Sequence, residues 1–119
     1  MKQYLLSLAV LIVSLIALPA NHANAQSQAE MNRQAAKDFE KADVKLNSTY
    51  AALMAKLPDA ESKQKLKESQ RAWLAFRDAE TAFEVDEVRG GTMAPTIRYA
   101  TMTELTGQRI KQLKARRTD

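Results

Sequence analysis

The 119-residue chain has no cysteine, one histidine, and only three glycines and three prolines. The histidine, His22, lies in a segment that we expect to be removed. Without cysteine and histidine, the common zinc and blue-copper ligand sets cannot form, and neither can a triad that depends on either residue. A small exported domain without disulfides must also be held together by a modest core. We therefore expect no metal, no cofactor and no catalytic residue.

The N-terminus has the three parts of a secretory signal. Lys2 supplies the positive charge, residues 5–18 form an apolar run, and Ala23-Asn24-Ala25 has the small-x-small form of a cleavage site. The run is too short and too close to that site for a membrane span. We predict a signal peptide over residues 1–25, one mature domain over residues 26–119 with no transmembrane span, and a periplasmic or secreted location.

The mature chain is mildly basic. Removal of Lys2 leaves 17 basic and 14 acidic residues, a net charge of +3. Export argues against nucleic acid as a partner, so the excess charge would act on anionic lipid, wall polymer or a protein surface. The simpler interpretation is that mixed charge keeps a small helical protein soluble.

Apolar spacing predicts three helices. After a frayed start over residues 26–29, the first runs from about Ala29 to Leu57, where Pro58-Asp59 ends it. Its apolar positions follow a helical stripe: Met31, Ala35, Phe39, Ala42, Leu46, Tyr50, Leu53 and Leu57. The second runs from Asp59 or Ala60 to Val88, with an apolar face of Leu66, Trp73, Phe76 and Phe83.

Glycines mark the break before the third helix. Gly90 can close the second helix in the left-handed conformation, and Thr92 can cap the third, which runs from about Met93 to Ala115. Pro95 falls in its first turn, and Gly107 inside it costs about 1 kcal/mol relative to alanine. Short connections make neighbouring helices antiparallel, so the predicted fold is all-α, an antiparallel three-helix bundle.

The acidic residues of the second helix are one candidate site. Glu80, Glu84 and Glu87 lie on one helical face, with Asp78 and Asp86 nearby. Paired carboxylates could serve glycoside hydrolysis or hold a hard cation. Either use needs carboxylates that converge from different elements, so a solvated face is the favoured interpretation.

Three residues around the tryptophan could be structural or functional. Arg77 and Asp78 follow Trp73 closely, and Arg109 can point inward from the third helix. The favoured interpretation is a partly buried ion pair of Arg109 with Asp78 or Asp43, and the alternative is an anion-binding arginine. Trp73 is expected in the core, with an exposed contact residue as the alternative.

The segment Arg89-Gly90-Gly91-Thr92 precedes a helix and could cradle a phosphate. It has no strand before it and no Lys-Ser/Thr after it, so it fits no phosphate-loop or dinucleotide motif. A structural turn is favoured. As a loop between rigid helices, Arg89 to Thr92 with Glu84 and Glu87 is the candidate surface for protein contact.

Three blocks together resemble a known family. The first is Met31-Asn32, Ala42-Asp43 and Leu46-Asn47 with Tyr50. The second is Gln70-Arg71-Ala72-Trp73 with Phe76-Arg77-Asp78-Ala79. The third is Gly90-Gly91-Thr92 with Pro95, Leu105-Thr106, Arg109 and Leu113. This order and spacing resembles the lysozyme inhibitor LprI-like N-terminal domain family. The resemblance implies a small exported helical protein and, for the family's namesake, binding and inhibition of lysozyme.

The chain departs from the family at its cysteines. The resemblance places family cysteines where this sequence has Thr81, Thr101 and Gln34. A bridge from position 81 to position 101 would close about 20 residues, worth roughly 3 kcal/mol in the chain-entropy model. We expect Thr81 and Thr101 to face each other.

Two functions compete. One is a non-catalytic binding protein of the inhibitor type, whose partner is a lysozyme-like enzyme or another envelope protein. The other is a structural module of the cell envelope, in which the basic C-terminal helix contacts anionic lipid or wall polymer through Lys111, Lys114, Arg116 and Arg117. An enzyme is the least supported class, because the mature chain offers few nucleophiles or bases.

Overall fold

The first helix, α1, is longer than the apolar stripe predicts. The computed structural model describes residues 20–116, and α1 spans Ala20–Lys56 within it. The predicted frayed start at residues 26–29 is wrong, because this alanine-rich stretch contains no helix breaker and alanine is the best helix former. The charged and apolar parts of the predicted leader, residues 1–19, lie outside the described residues.

Helix α2 spans Ala60–Asp86 and starts with a side-chain cap. Asp59 has an extended backbone, and its carboxylate accepts a 2.7 Å hydrogen bond from the backbone N–H of Ser62. This bond satisfies one of the N–H groups that every helix start leaves unpaired. The same bond lowers the pKa of the Asp59 carboxyl, because it stabilises the charged form. The predicted boundary at Pro58-Asp59 is confirmed.

Helix α3 spans Ala94–Lys114, close to the prediction. Pro95 lies in its first turn, as predicted. The predicted cap at Thr92 is wrong: the N-cap is Met93, which makes no side-chain capping bond. The proline explains why a cap is less needed here, because it removes one of the unpaired N–H groups.

Helices α1 and α3 run alongside each other in the same direction. Helix α2 returns from the C-terminal end of α1 to the N-terminal end of α3. Gln28 on α1 donates to Thr96 at the start of α3, whereas Leu53 and Leu113 near the two C-terminal ends border one cleft. On α2, Arg77 contacts Thr106 of α3. Consecutive helices therefore run in opposite directions. Helix α3 packs more extensively on α1 than on α2, and small side chains such as Ala35 and Ala100 border a cleft between α1 and α3.

The apolar core is small and lies towards one end of the bundle. Its buried members come from all three helices: Leu46, Leu53, Leu66, Ile110 and Leu113. Tyr50, Met54, Leu57 and Trp73 pack against it as half-buried neighbours. The stripe predicted for α1 is confirmed apart from Met31, which is 41% exposed. In the described part of the chain, no helix is both long enough and apolar enough to cross a membrane.

The apolar face predicted for α2 is wrong at two positions. Phe76 and Phe83 are 51% and 66% exposed, whereas Arg77 and Thr81 are buried. The inward-facing stripe runs from Leu66 through Gln70, the half-buried Trp73, Arg77 and Thr81. Because one residue turns a helix by about 100°, a stripe through Arg77 turns Phe76 out towards solvent.

Candidate functional site

Cations and aromatic rings form a layer through the middle of the bundle. The guanidinium of Arg77 lies 5.3 Å from the centroid of the Phe39 ring and 5.3 Å from that of Trp73. The guanidinium of Arg109 lies 5.9 Å from the Trp73 ring, and the rings of Phe39 and Tyr99 are 6.2 Å apart. Ring faces attract cations at these distances. This arginine–aromatic layer joins all three helices where the apolar core ends.

Arg77 has the acidic neighbours of the layer. Its Nη1 lies 3.6 Å from Asp43 Oδ1 and 3.4 Å from the hydroxyl of Thr106. Its Nε lies 3.5 Å from Asp78 Oδ1 but makes no hydrogen bond. Asp43 is on α1 and Thr106 on α3, so one side chain of α2 links both other helices.

Arg109 is bound by neutral groups. Its Nε donates to Gln70 Oε1 at 3.0 Å, its Nη2 to Ser69 Oγ at 3.1 Å, and its Nη1 to Gln112 Oε1 at 3.3 Å. The predicted pair of Arg109 with Asp78 or Asp43 is therefore wrong. Those carboxylates flank Arg77 instead, and among residues 20–116 Arg109 forms no ion pair.

The environment of Arg109 disfavours its charge without removing it. Burial lowers the pKa of the guanidinium, and the positive charge of Arg116 lowers it further. An arginine keeps its proton under such conditions. The protein's own oxygens and the Trp73 ring surround both guanidinium groups, and each group links α2 to α3.

An exposed surface on α2 carries the other candidate residues. We define the aromatic–acidic surface as Phe76, Glu80, Phe83, Glu84 and Glu87. Phe76 and Phe83 are seven residues apart, and Glu80 and Glu87 continue the same stripe at helical spacing. Glu84 and Glu87 are exposed, and Glu80 is half-buried. Two large apolar rings thus stand in solvent beside carboxylates.

The loop after α2 continues from this surface. Gly90 adopts φ +77°, which confirms the predicted left-handed glycine, although α2 itself ends earlier, at Asp86. A side chain at Gly91 would meet the carbonyl oxygen of Val88 at 3.0 Å, so this position is also restricted. Arg89 pairs with Asp86, with Nε and Oδ1 3.2 Å apart. The carboxylate of Asp86, the last residue of α2, thereby offsets part of the positive charge of Arg89.

The loop after α2 also lies close to the start of α1. Thr92 borders a cleft with Asn24, Ala25 and Gln28 of α1, so the loop lies beside the residues of the predicted cleavage site. Over residues 20–116, the structure assembles no group of three His, Cys, Asp or Glu side chains that could hold a metal ion. Glu80, Glu84 and Glu87 lie on a single helix face, with no carboxylate from another helix brought to them in residues 20–116.

Sequence reasoning missed the buried polar residues. Gln70 and Thr106 are 8% and 0% exposed, and both bind a buried arginine. The available signal was the spacing from Leu66, because positions 66, 70, 73, 77 and 81 fit one helical stripe once polar residues are admitted to it.

The fold and these surfaces define a small all-helical domain. The chain belongs to the lysozyme inhibitor LprI family, whose sequence profile matches residues 20–113. It is also 32% identical over 102 residues to an uncharacterized protein of Rhizobium meliloti strain 1021, an alignment that covers 76% of this chain and 73% of the relative. No solved structure shows significant similarity to the chain. The resemblance in the Trp73 and Gly-Gly blocks is thus confirmed at the level of the family.

Proposed function

We propose that this protein is exported to the periplasm or the exterior and binds a lysozyme-like enzyme by surface contact, without catalysis of its own. The proposal includes cleavage after Ala25 and a single binding domain over residues 26–119. Membership of a family named for lysozyme inhibition supports the partner class. The two exposed phenylalanines among carboxylates on α2 carry the proposal, because they supply a contact surface of the right chemistry.

The phenylalanines are suited to anchor a partner. A monomeric protein seldom leaves two large aromatic rings in solvent on one stripe, and such a feature marks interaction sites. Phe76 and Phe83 can enter apolar recesses of a partner, where aromatic side chains contribute most of the binding free energy. The loop from Arg89 to Thr92 follows this surface along the chain and would widen the contact.

The carboxylates determine which partners approach. The mature chain has a net charge of +3, 17 basic against 14 acidic residues, which by itself would repel a basic enzyme. At physiological ionic strength, however, charges further apart than about 8 Å are largely screened from each other. Glu84 and Glu87 therefore dominate the potential at Phe83, and this side of the molecule favours a basic surface.

Binding to immobilised c-type lysozyme tests the proposal, with a cell-wall lysis assay in parallel. The exported protein should bind, inhibit lysis, and lose affinity as salt rises. Phe76→Ser with Phe83→Ser should weaken binding at least tenfold, since truncation of an aromatic anchor commonly costs about 2 kcal/mol. Glu84→Lys with Glu87→Lys should mainly slow association.

Val44→Ser is the matched control, because Val44 is 65% exposed and lies on a different helix, α1. It should leave binding unchanged. Lysozyme binding that survives both α2 double variants would place the contact elsewhere. No binding by the wild-type protein at any salt concentration would refute lysozyme of this type as the partner.

A further inference from the structure

The end of the bundle opposite the aromatic–acidic surface combines cationic side chains with leucines. Here α1 ends, α2 begins and α3 ends. Two open clefts lie on either side of Leu53, and both are bordered by Arg116. Their floors are formed by leucines of all three helices: Leu53, Leu57, Leu66 and Leu113. We call this region the basic end.

All the charged residues that border these clefts are cationic. Lys56, Lys114 and Arg116 border the first cleft, and Lys65 and Arg116 border the second. Of these, Lys65 lies 3.2 Å from Glu61. Glu61 offsets the charge of Lys65, so the positive potential of the clefts comes chiefly from Lys56, Lys114 and Arg116.

The clefts also contain hydroxyl groups. Ser48 and Thr49 border the first cleft, and Ser62 borders the second. A phosphate ester is held well by one or more cations together with hydroxyl donors. The clefts are shallow and their leucines largely buried, so they suit a headgroup at a surface better than an enclosed acyl chain.

From this combination we infer that the basic end docks on an anionic phospholipid bilayer, with phosphate headgroups received in the two clefts that Arg116 borders. Cations near a bilayer surface are attracted by its negative potential, and the half-buried Leu57 can contact the interfacial region. The envelope contact expected of the α3 tail is thereby assigned to residues of all three helices. The inference does not depend on lysozyme binding.

Co-sedimentation of the exported protein with lipid vesicles tests this inference. It should bind vesicles that contain phosphatidylglycerol, should not bind phosphatidylcholine alone, and should detach as salt rises. Each basic residue near such a surface contributes about fivefold to partitioning. The triple variant Lys56→Gln, Lys114→Gln and Arg116→Gln should therefore lower the partition coefficient about a hundredfold.

A control variant of equal net charge separates docking from simple charge attraction. Lys37, Lys41 and Arg98 are exposed cations outside the lining of both clefts. Their triple glutamine variant should retain most of the binding, and circular dichroism should show unchanged helix content for both variants. Equal loss in the two triple variants would overturn the inference, as would equal binding to both kinds of vesicle.

Two other ligands would also overturn it. If millimolar inorganic phosphate displaces the protein from vesicles at constant ionic strength, the clefts bind free phosphate rather than a membrane surface. If the protein binds an anionic wall polymer but not phosphatidylglycerol vesicles, the basic end serves the wall instead. In both cases the lysozyme assay keeps its own result, because the variants at the basic end leave Phe76 and Phe83 intact.

Discussion

Replacement of Gly107 by alanine should stabilise the protein. Gly107 lies inside α3, and its φ is outside the left-handed region. A Cβ atom placed on it would have no heavy atom within 4 Å beyond its chain neighbours and its own helix. The substitution therefore brings neither a clash nor a new contact, and only the difference in helix propensity remains.

That difference is about 1 kcal/mol in favour of alanine, because the unfolded chain loses conformational freedom when glycine is replaced. For a domain of this size, such a gain corresponds to about 4–8 °C in the melting temperature. Thermal and urea unfolding followed by circular dichroism would measure it. The slope of the urea transition should not change, since the same surface is exposed on unfolding.

Gly90→Ala is the opposing control. Its φ of +77° is unfavourable for a side chain, and alanine there should cost about 1 kcal/mol. If Gly107→Ala leaves the urea midpoint unchanged or lowers it, α3 is not regular at this position or has a neighbour that the structure does not show. Either result would refute the reasoning from helix propensity.

Three further predictions concern the contacts between and within helices. Thr81→Cys with Thr101→Cys should form a disulfide in oxidising buffer and raise the melting temperature; a double variant that stays reduced would contradict the expected pairing. Arg109→Met should cost about 1–3 kcal/mol in urea unfolding, because it leaves the buried Gln70 without its partner; an unchanged midpoint would show that the layer adds no stability. Asp59→Ala should lower the melting temperature at neutral pH, whereas Asp59→Asn should preserve it.

The pH dependence of the Asp59 cap has a definite sign. The carboxyl has a lower pKa in the folded protein than its usual 3.8, so its contribution is fully present only well above that usual value and is lost as the pH falls through the folded pKa. Between pH 5 and pH 2, the wild-type protein should therefore lose more stability than Asp59→Asn. Identical losses would exclude the charged cap as a source of acid sensitivity.

Helix number and order followed from the sequence, because the signals were local. Pro58-Asp59 and Gly90-Gly91 lie within one or two turns of the boundaries they mark, and the stripe from Ala35 to Leu57 needs only one helix face to be apolar. Family membership could likewise be recognised from the Trp73 block and the Gly-Gly block together.

The face of α2 could not be determined in the same way. Hydrophobicity favours Phe76 over Arg77 as a core residue, and the choice is reversed only by partners on other helices. Phe39 and Asp43 on α1 and Thr106 on α3 surround the Arg77 guanidinium. The sequence of α2 alone does not predict these contacts. For the same reason, the sequence of α2 did not predict the exposure of Phe83, on which the proposed contact surface depends.

The length of α2 would keep the two proposed partners apart. At 1.5 Å per residue, about 28 Å of helix separates Lys65 at the basic end from Glu84, several times the Debye length of about 8 Å at physiological ionic strength. Charge added or neutralised at one end is therefore barely felt at the other. A molecule held on a surface by its basic end would keep Phe83 and Glu84 directed away from that surface, so attachment and capture can be altered separately.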